Sequence, residues 1–199
     1  MFKKTIISAA IIAVVMGYAA TATAEAPATV SSGSGKFGGG TIIFTGSVTE
    51  APCSIPPGDQ NQTVDLGAVS AQALTSGKGS EPVSIKINLK NCDLGTDSKY
   101  SKASLKFQDN GDMQAAGKNK GLLNTTGSSD IAVQLLNRSN VPIDFTSDAT
   151  MKPGTEVTLS TGADSDIIFR ARLLGTTGAT KTPTAGAIKA QVSYLLDYH

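Results

Sequence analysis

Gly186-Ala187-Ile188-Lys189-Ala190-Gln191-Val192-Ser193-Tyr194-Leu195-Leu196-Asp197-Tyr198-His199 closes the sequence, and its alternation decides the fold class. Ile188, Ala190, Val192, Tyr194, Leu196 and Tyr198 share one face, and Lys189, Gln191, Ser193 and Asp197 the other, with Leu195 the one apolar exception. A period of two marks a β-strand with one buried face. Only His199 follows Tyr198, so the reading expects no hairpin partner from that side. A long apolar edge invites pairing unless something covers it. The cover is expected from within the chain or from another polypeptide.

Working upstream, alternating segments recur between turn residues. Val83 to Leu89 places Val83, Ile85, Ile87 and Leu89 opposite Ser84, Lys86 and Asn88. Ala103, Leu105 and Phe107 run into the turn Asp109-Asn110-Gly111-Asp112. Ile131, Val133 and Leu135 precede Asn137, with Val141 to Phe145 beyond it. Val157 and Leu159 make a short strand; Ile167, Phe169, Ala171 and Leu173 make a longer one, closed by Gly175. Thr63 to Leu66 is a further short candidate, and Ser70 to Thr75 has room for one helical turn. Short strands at this spacing, with no internal repeat, predict one β-sandwich.

The N-terminal end has a different character. Met1-Phe2-Lys3-Lys4, an apolar run from Ile6 to Ala20 and Ala22-Thr23-Ala24 predict a secretory signal peptide over residues 1–24. The run is shorter than the ~20 residues of a membrane span. Residues 25–40 are rich in Gly, Ser, Ala and Pro, as in a flexible extension. Thr41 to Glu50 alternates again, with Ile42, Phe44, Gly46 and Val48 on one face.

Composition removes several function classes. The net charge of +1 includes Lys3 and Lys4, so the processed chain is near −1. No basic tract argues for nucleic acid and no cationic amphipathic helix for a membrane surface. The single histidine is His199, so no Ser-His-Asp or Cys-His arrangement can be assembled. Asp109/Asp112 and Asp164/Asp166 sit among turn residues and read as solvated loops; no cofactor or metal is expected. Cys53 and Cys92, an even pair in an exported chain, predict a disulfide, since neither a C-x-x-C spacing nor nearby histidines favour a metal or reactive thiol pair.

Gly40-Thr41-Ile42-Ile43-Phe44-Thr45-Gly46-Ser47-Val48 with Ala51-Pro52-Cys53, the Cys53/Cys92 pair, Gly186 fourteenth from the end and penultimate Tyr198 together resemble a chaperone–usher pilin, closest to the shaft subunits of type 1 and P-type pili. The resemblance implies an immunoglobulin-like sandwich lacking its last strand (residues 49–199) behind an N-terminal extension (25–48). It implies a structural pilus subunit, not an enzyme, that transits the periplasm and polymerises head to tail outside the cell. Partners implied are neighbouring pilin subunits, a periplasmic chaperone and an outer-membrane usher. Gly40, Ile42, Phe44, Gly46 and Val48 would form the donor strand. Gly186, Ile188, Ala190, Val192, Tyr194, Leu196 and Tyr198 would line the acceptor groove and bind the chaperone. A minor adaptor pilin, or a secreted single-domain module binding carbohydrate or a host surface, is the alternative.

Overall fold

The computed structural model describes residues 41–96, 99–128, 130–176 and 182–199. The expected signal peptide, the extension before Thr41 and Gly40 lie outside these. The chain divides into two units, 1–48 and 49–199.

In the second unit, seven strands form two antiparallel sheets. A short helix α1 (Pro57–Gln60) and a 3₁₀ segment (Ala71–Gly77) precede β1 (Val83–Leu89) and β2 (Lys102–Gln108). A second 3₁₀ segment (Ala115–Lys120) leads to β3 (Leu122–Leu123), β4 (Ile131–Leu136), α2 (Asp148–Thr155), β5 (Val157–Thr158), β6 (Ser165–Gly175) and β7 (Ser193–Tyr198). One sheet has the order β1-β6-β4-β3, the other β5-β2-β7. Both β1 and β7 are therefore edge strands, each paired on one side only.

Alternation sets which face is buried. On β6, Ile167, Phe169, Ala171, Leu173 and Gly175 point inward and are buried, while the intervening residues are half-exposed. Leu89, Leu105, Phe107 and Val133 complete the inter-sheet core. Phe107 meets Phe145 and Phe169 edge-on, with centroids 5.7 and 5.5 Å apart, the arrangement the ring quadrupoles favour. Cys53 and Cys92 form the disulfide, both buried. Around it Ser54 and Lys90 exchange two backbone bonds of 2.8 Å, and Asp93 N donates to Pro52 O.

Several elements differ from the sequence expectation. Thr63 to Leu66 forms no strand, and Val141 to Phe145 contributes a single bridge, Leu136–Pro142. The C-terminal alternation is a ladder only from Ser193 onward. Residues 186–192 are irregular apart from a bridge between Thr126 and Lys189. The expected face is nonetheless visible: Ile188, Val192, Tyr194, Leu196 and Tyr198 pack against the core, whereas Gly186 and Ala190 are exposed. Helix α2 had no apolar periodicity to announce it and contains Pro153. It starts where the Ser147 side chain accepts from Thr150 N while Thr150 Oγ1 accepts from Ser147 N, a reciprocal cap.

Candidate functional site: an apolar groove between two sheet edges

β7 aligns with β2 from Ala103↔Tyr198 to Gln108↔Ser193, and beyond it the sheet has no further strand. Its far end is anchored, because Ser101 N and Lys102 N both donate to His199 O and His199 N donates to Lys102 O. Residues 185–194 form one rim of a groove of about 1830 Å³. Residues 60–69 form the other, with the Gln62 amide donating to Lys86 O on β1 at 2.7 Å. The floor is the inner face of the larger sheet: Ile85 and Ile87 from β1, Phe169, Ala171 and Leu173 from β6, Val133 and Leu135 from β4.

The rims are joined at one point. Tyr194 OH donates to Asp59 O at 2.9 Å, and Asp59 Oδ2 accepts from both Asn88 N (2.8 Å) and Asn88 Nδ2 (2.6 Å). Asp59 thus ties β7 to the end of β1. The two Asn88 bonds hold its carboxyl below the usual range, with smaller help from Lys86 and Lys90. Burial, then the Asp59 charge, pushes the Tyr194 phenol up. Toward the other end, Thr126 N donates to Lys189 O at 2.8 Å. Gly127 there has φ +93°, and a Cβ on it would lie 2.1 Å from Ala187 O. Gly127→Ala combines left-handed strain with a backbone clash and is expected to destabilise the fold by about 2–4 kcal/mol. An unchanged unfolding midpoint in denaturant would show that this loop does not hold the rim.

An apolar trough flanked by edge strands cannot do acid–base or nucleophilic chemistry. It can take an extended peptide, whose backbone pairs with the free edge while alternate side chains enter the trough. Among the described residues no group of His, Cys, Asp and Glu could hold a metal ion, and no helix is long and apolar enough to cross a membrane.

The expected donor residues have the complementary character. Residues 41–48 form no strand, and Ile42, Phe44 and Val48 are 77, 88 and 102 % exposed. Ile43, on the opposite face of the alternation, is exposed as well. Nothing lies within 4 Å of where a Gly46 Cβ would stand. The Cys53–Cys92 disulfide and the packing of Ile188, Val192, Tyr194, Leu196 and Tyr198 on the core were legible in the sequence; the exposure of Ala190 was not. Nor were Asp59, Asn88, Thr126 and Gly127. Pro56-Pro57-Gly58-Asp59 and Thr126-Gly127 read as ordinary turns, and only their partners give them a place at the groove.

The sandwich and its open trough define the class. The chain belongs to the fimbrial protein family, whose model matches residues 42–199. It is a structural subunit of surface fimbriae, not an enzyme. It is 32% identical over 163 residues to the fimbria A protein of Serratia marcescens, covering 81% of this chain and 85% of the relative. It is 33% identical over 165 residues to the type-1 fimbrial protein A chain of Escherichia coli K12, covering 80% and 84%. Among solved structures it resembles the P pilus rod subunit PapA, with a TM-score of 0.60, 25% identity, and coverage of 75% of this chain and all of PapA.

Proposed function

We propose that the chain builds a pilus by donating residues 40–48 to the groove of the next copy. The observation that carries this reading is the apolar trough between the edges of β1 and β7, two strands that each lack a neighbour on that side. Gly40, Ile42, Phe44, Gly46 and Val48 would face the trough, with Gly46 set where it is too shallow for a side chain. Ile188, Ala190, Val192, Tyr194, Leu196 and Tyr198, led by Gly186, would form the receiving edge. Residues 1–24 act as the export signal, 25–48 as the extension and 49–199 as the body. Before assembly a periplasmic chaperone lends its own strand to the same edge, and the outer-membrane usher is where the exchange takes place. A head-to-tail contact of this kind is heterologous and grows an open filament.

Electrophoresis in SDS of surface-sheared material, unheated against boiled in acid, tests the reading. The expected result is a ladder at multiples of the processed mass that collapses to monomer on boiling. Deleting Glu25 to Gly46 should leave a subunit that binds chaperone but gives no ladder. A single monomer band from the intact chain in both lanes, or fibres from the deletion, would overturn it.

A further inference from the structure

Cations are partnered unevenly over this surface. Lys86, Lys90, Lys102, Lys106, Lys118 and Lys152 each form an ion pair with a carboxylate. The chain's arginines, Arg138, Arg170 and Arg172, form none among the described residues, and they gather in one region. Arg170 and Arg172 both point outward from β6, the strand between β1 and β4. Two residues along a strand separate such side chains by about 6.6 Å. Arg170 Nη1 donates to Asn140 Oδ1 at 2.9 Å, and Asn140 belongs to the same tight turn as Arg138. That turn is held by Asn137 Oδ1, which accepts from both Ser139 N and Val141 N.

The guanidinium groups are fixed in place by neutral amides. Arg172 Nε donates to Gln134 Oε1 at 2.9 Å; Gln134 is 4% exposed and its own Nε2 donates to Lys120 O at 2.8 Å. Arg172 lies flat over Gly79, where a Cβ would come within 2.9 Å of its Cδ and Cζ. Among the described residues the terminal Nη edge of Arg172 has no protein acceptor. Arg170 Nε is buried without an acceptor and out of a ligand's reach, so Arg170 contributes its charge to the face rather than that nitrogen. Orienting a guanidinium beforehand through neutral partners, with its charge uncompensated, is what recognition of a planar oxyanion requires.

We propose that this face, Arg138, Arg170 and Arg172 on the outside of the larger sheet, is a binding site for an acidic polysaccharide carrying carboxylate or sulfate groups. Among the described residues this face offers arginines and no aromatic side chain, so it supplies charge for a polyanion without the packed apolar centre of a protein interface. Phe107, Phe145 and Phe169 are in the core, Tyr100 meets Tyr198 edge-on, and Tyr194 lines the groove. A polyanion needs no such centre. The site requires only the folded body, and a polymer of the chain would repeat it so that weak single contacts add through avidity.

The test is retention of the full secreted chain, monomeric and assembled, on immobilised heparin (sulfated) and polygalacturonate (carboxylated) across a salt gradient. The native chain should bind one or both. Arg170→Gln/Arg172→Gln should bind at least about tenfold more weakly, with a log affinity against log salt slope shallower by about two. Arg138→Gln, in an exposed turn, should weaken binding in the same direction and guards against misfolding of the double variant. Lys102→Gln/Lys106→Gln removes the same charge from ion-paired positions on the other sheet and should change little. The proposal falls if native protein is not retained on either matrix, or if the arginine and lysine variants lose retention equally. It also falls if the arginine variants bind both polysaccharides normally but lose self-association by sedimentation, which would make the face a contact between copies. Because monomer and polymer are measured separately, a chain that fails to polymerise leaves this result readable.

Discussion

Phe44→Asp is expected to abolish the SDS-resistant ladder while leaving the subunit body intact. Phe44 is 88 % exposed, so its replacement removes no packing from the isolated chain and should move the unfolding midpoint by no more than about 0.5 kcal/mol. In the proposed assembled state the same ring enters a trough floored by Ile, Val, Leu and Phe side chains. Losing its burial costs about 1.5–3 kcal/mol, and an unpaired carboxylate in that setting costs several more. Thr45→Asp, one residue along and on the opposite face of the alternation, should retain the ladder. The pair tests register as well as donation, because a one-residue slip exchanges the faces. A ladder that survives Phe44→Asp, or one destroyed equally by both changes, would reject the assignment of residues 40–48.

Cys53→Ser should destabilise the body more than any surface change. The bridge spans 39 residues, and constraining a loop of that size in the unfolded chain contributes about 4 kcal/mol on the chain-entropy account. For a body of this size that corresponds to a fall of roughly 8–16 °C in Tm. Cys53 and Cys92 are 4 and 2 % exposed, so the serine hydroxyl would also enter an apolar site. Thermal unfolding with and without reductant provides the check, alongside the yield of folded protein. Equal midpoints for native and variant protein would remove the bridge from the account of stability.

The sandwich was legible because its strands write their burial into a period of two. Val83–Leu89 and Ile167–Leu173 could be placed within a residue or two from sequence alone. The alternation overstated the strand content where a neighbour is missing. Residues 41–50 and 186–192 alternate as cleanly as β1, yet neither forms a continuous ladder, because hydrogen bonding needs a partner strand that alternation cannot supply. Thr63 to Leu66, on the opposite rim of the same trough, is irregular for the same reason. Contacts between distant turns were illegible. Asp59 reaches Asn88 and Tyr194, respectively 29 and 135 residues away, and nothing local marks it. The arginine face was hidden differently: Arg138 and Arg170 are far apart in sequence and meet only through Asn140.

The disulfide also fixes how the body responds to force. Tension applied through residues 41–48 enters at Thr49 and reaches Cys53 within five residues, where the load passes through the sulfur bridge to Cys92. Residues 54–91, including α1, β1 and one rim of the groove, then lie on a loop closed covalently at its base. Should the body yield, the segment between Cys53 and Cys92, a sequence separation of 39, cannot pay out, which withholds about 130 Å of extension. The covalent link therefore acts as a stop on elongation, and reduction of that bond would convert a short, stiff tether into a longer, more compliant one.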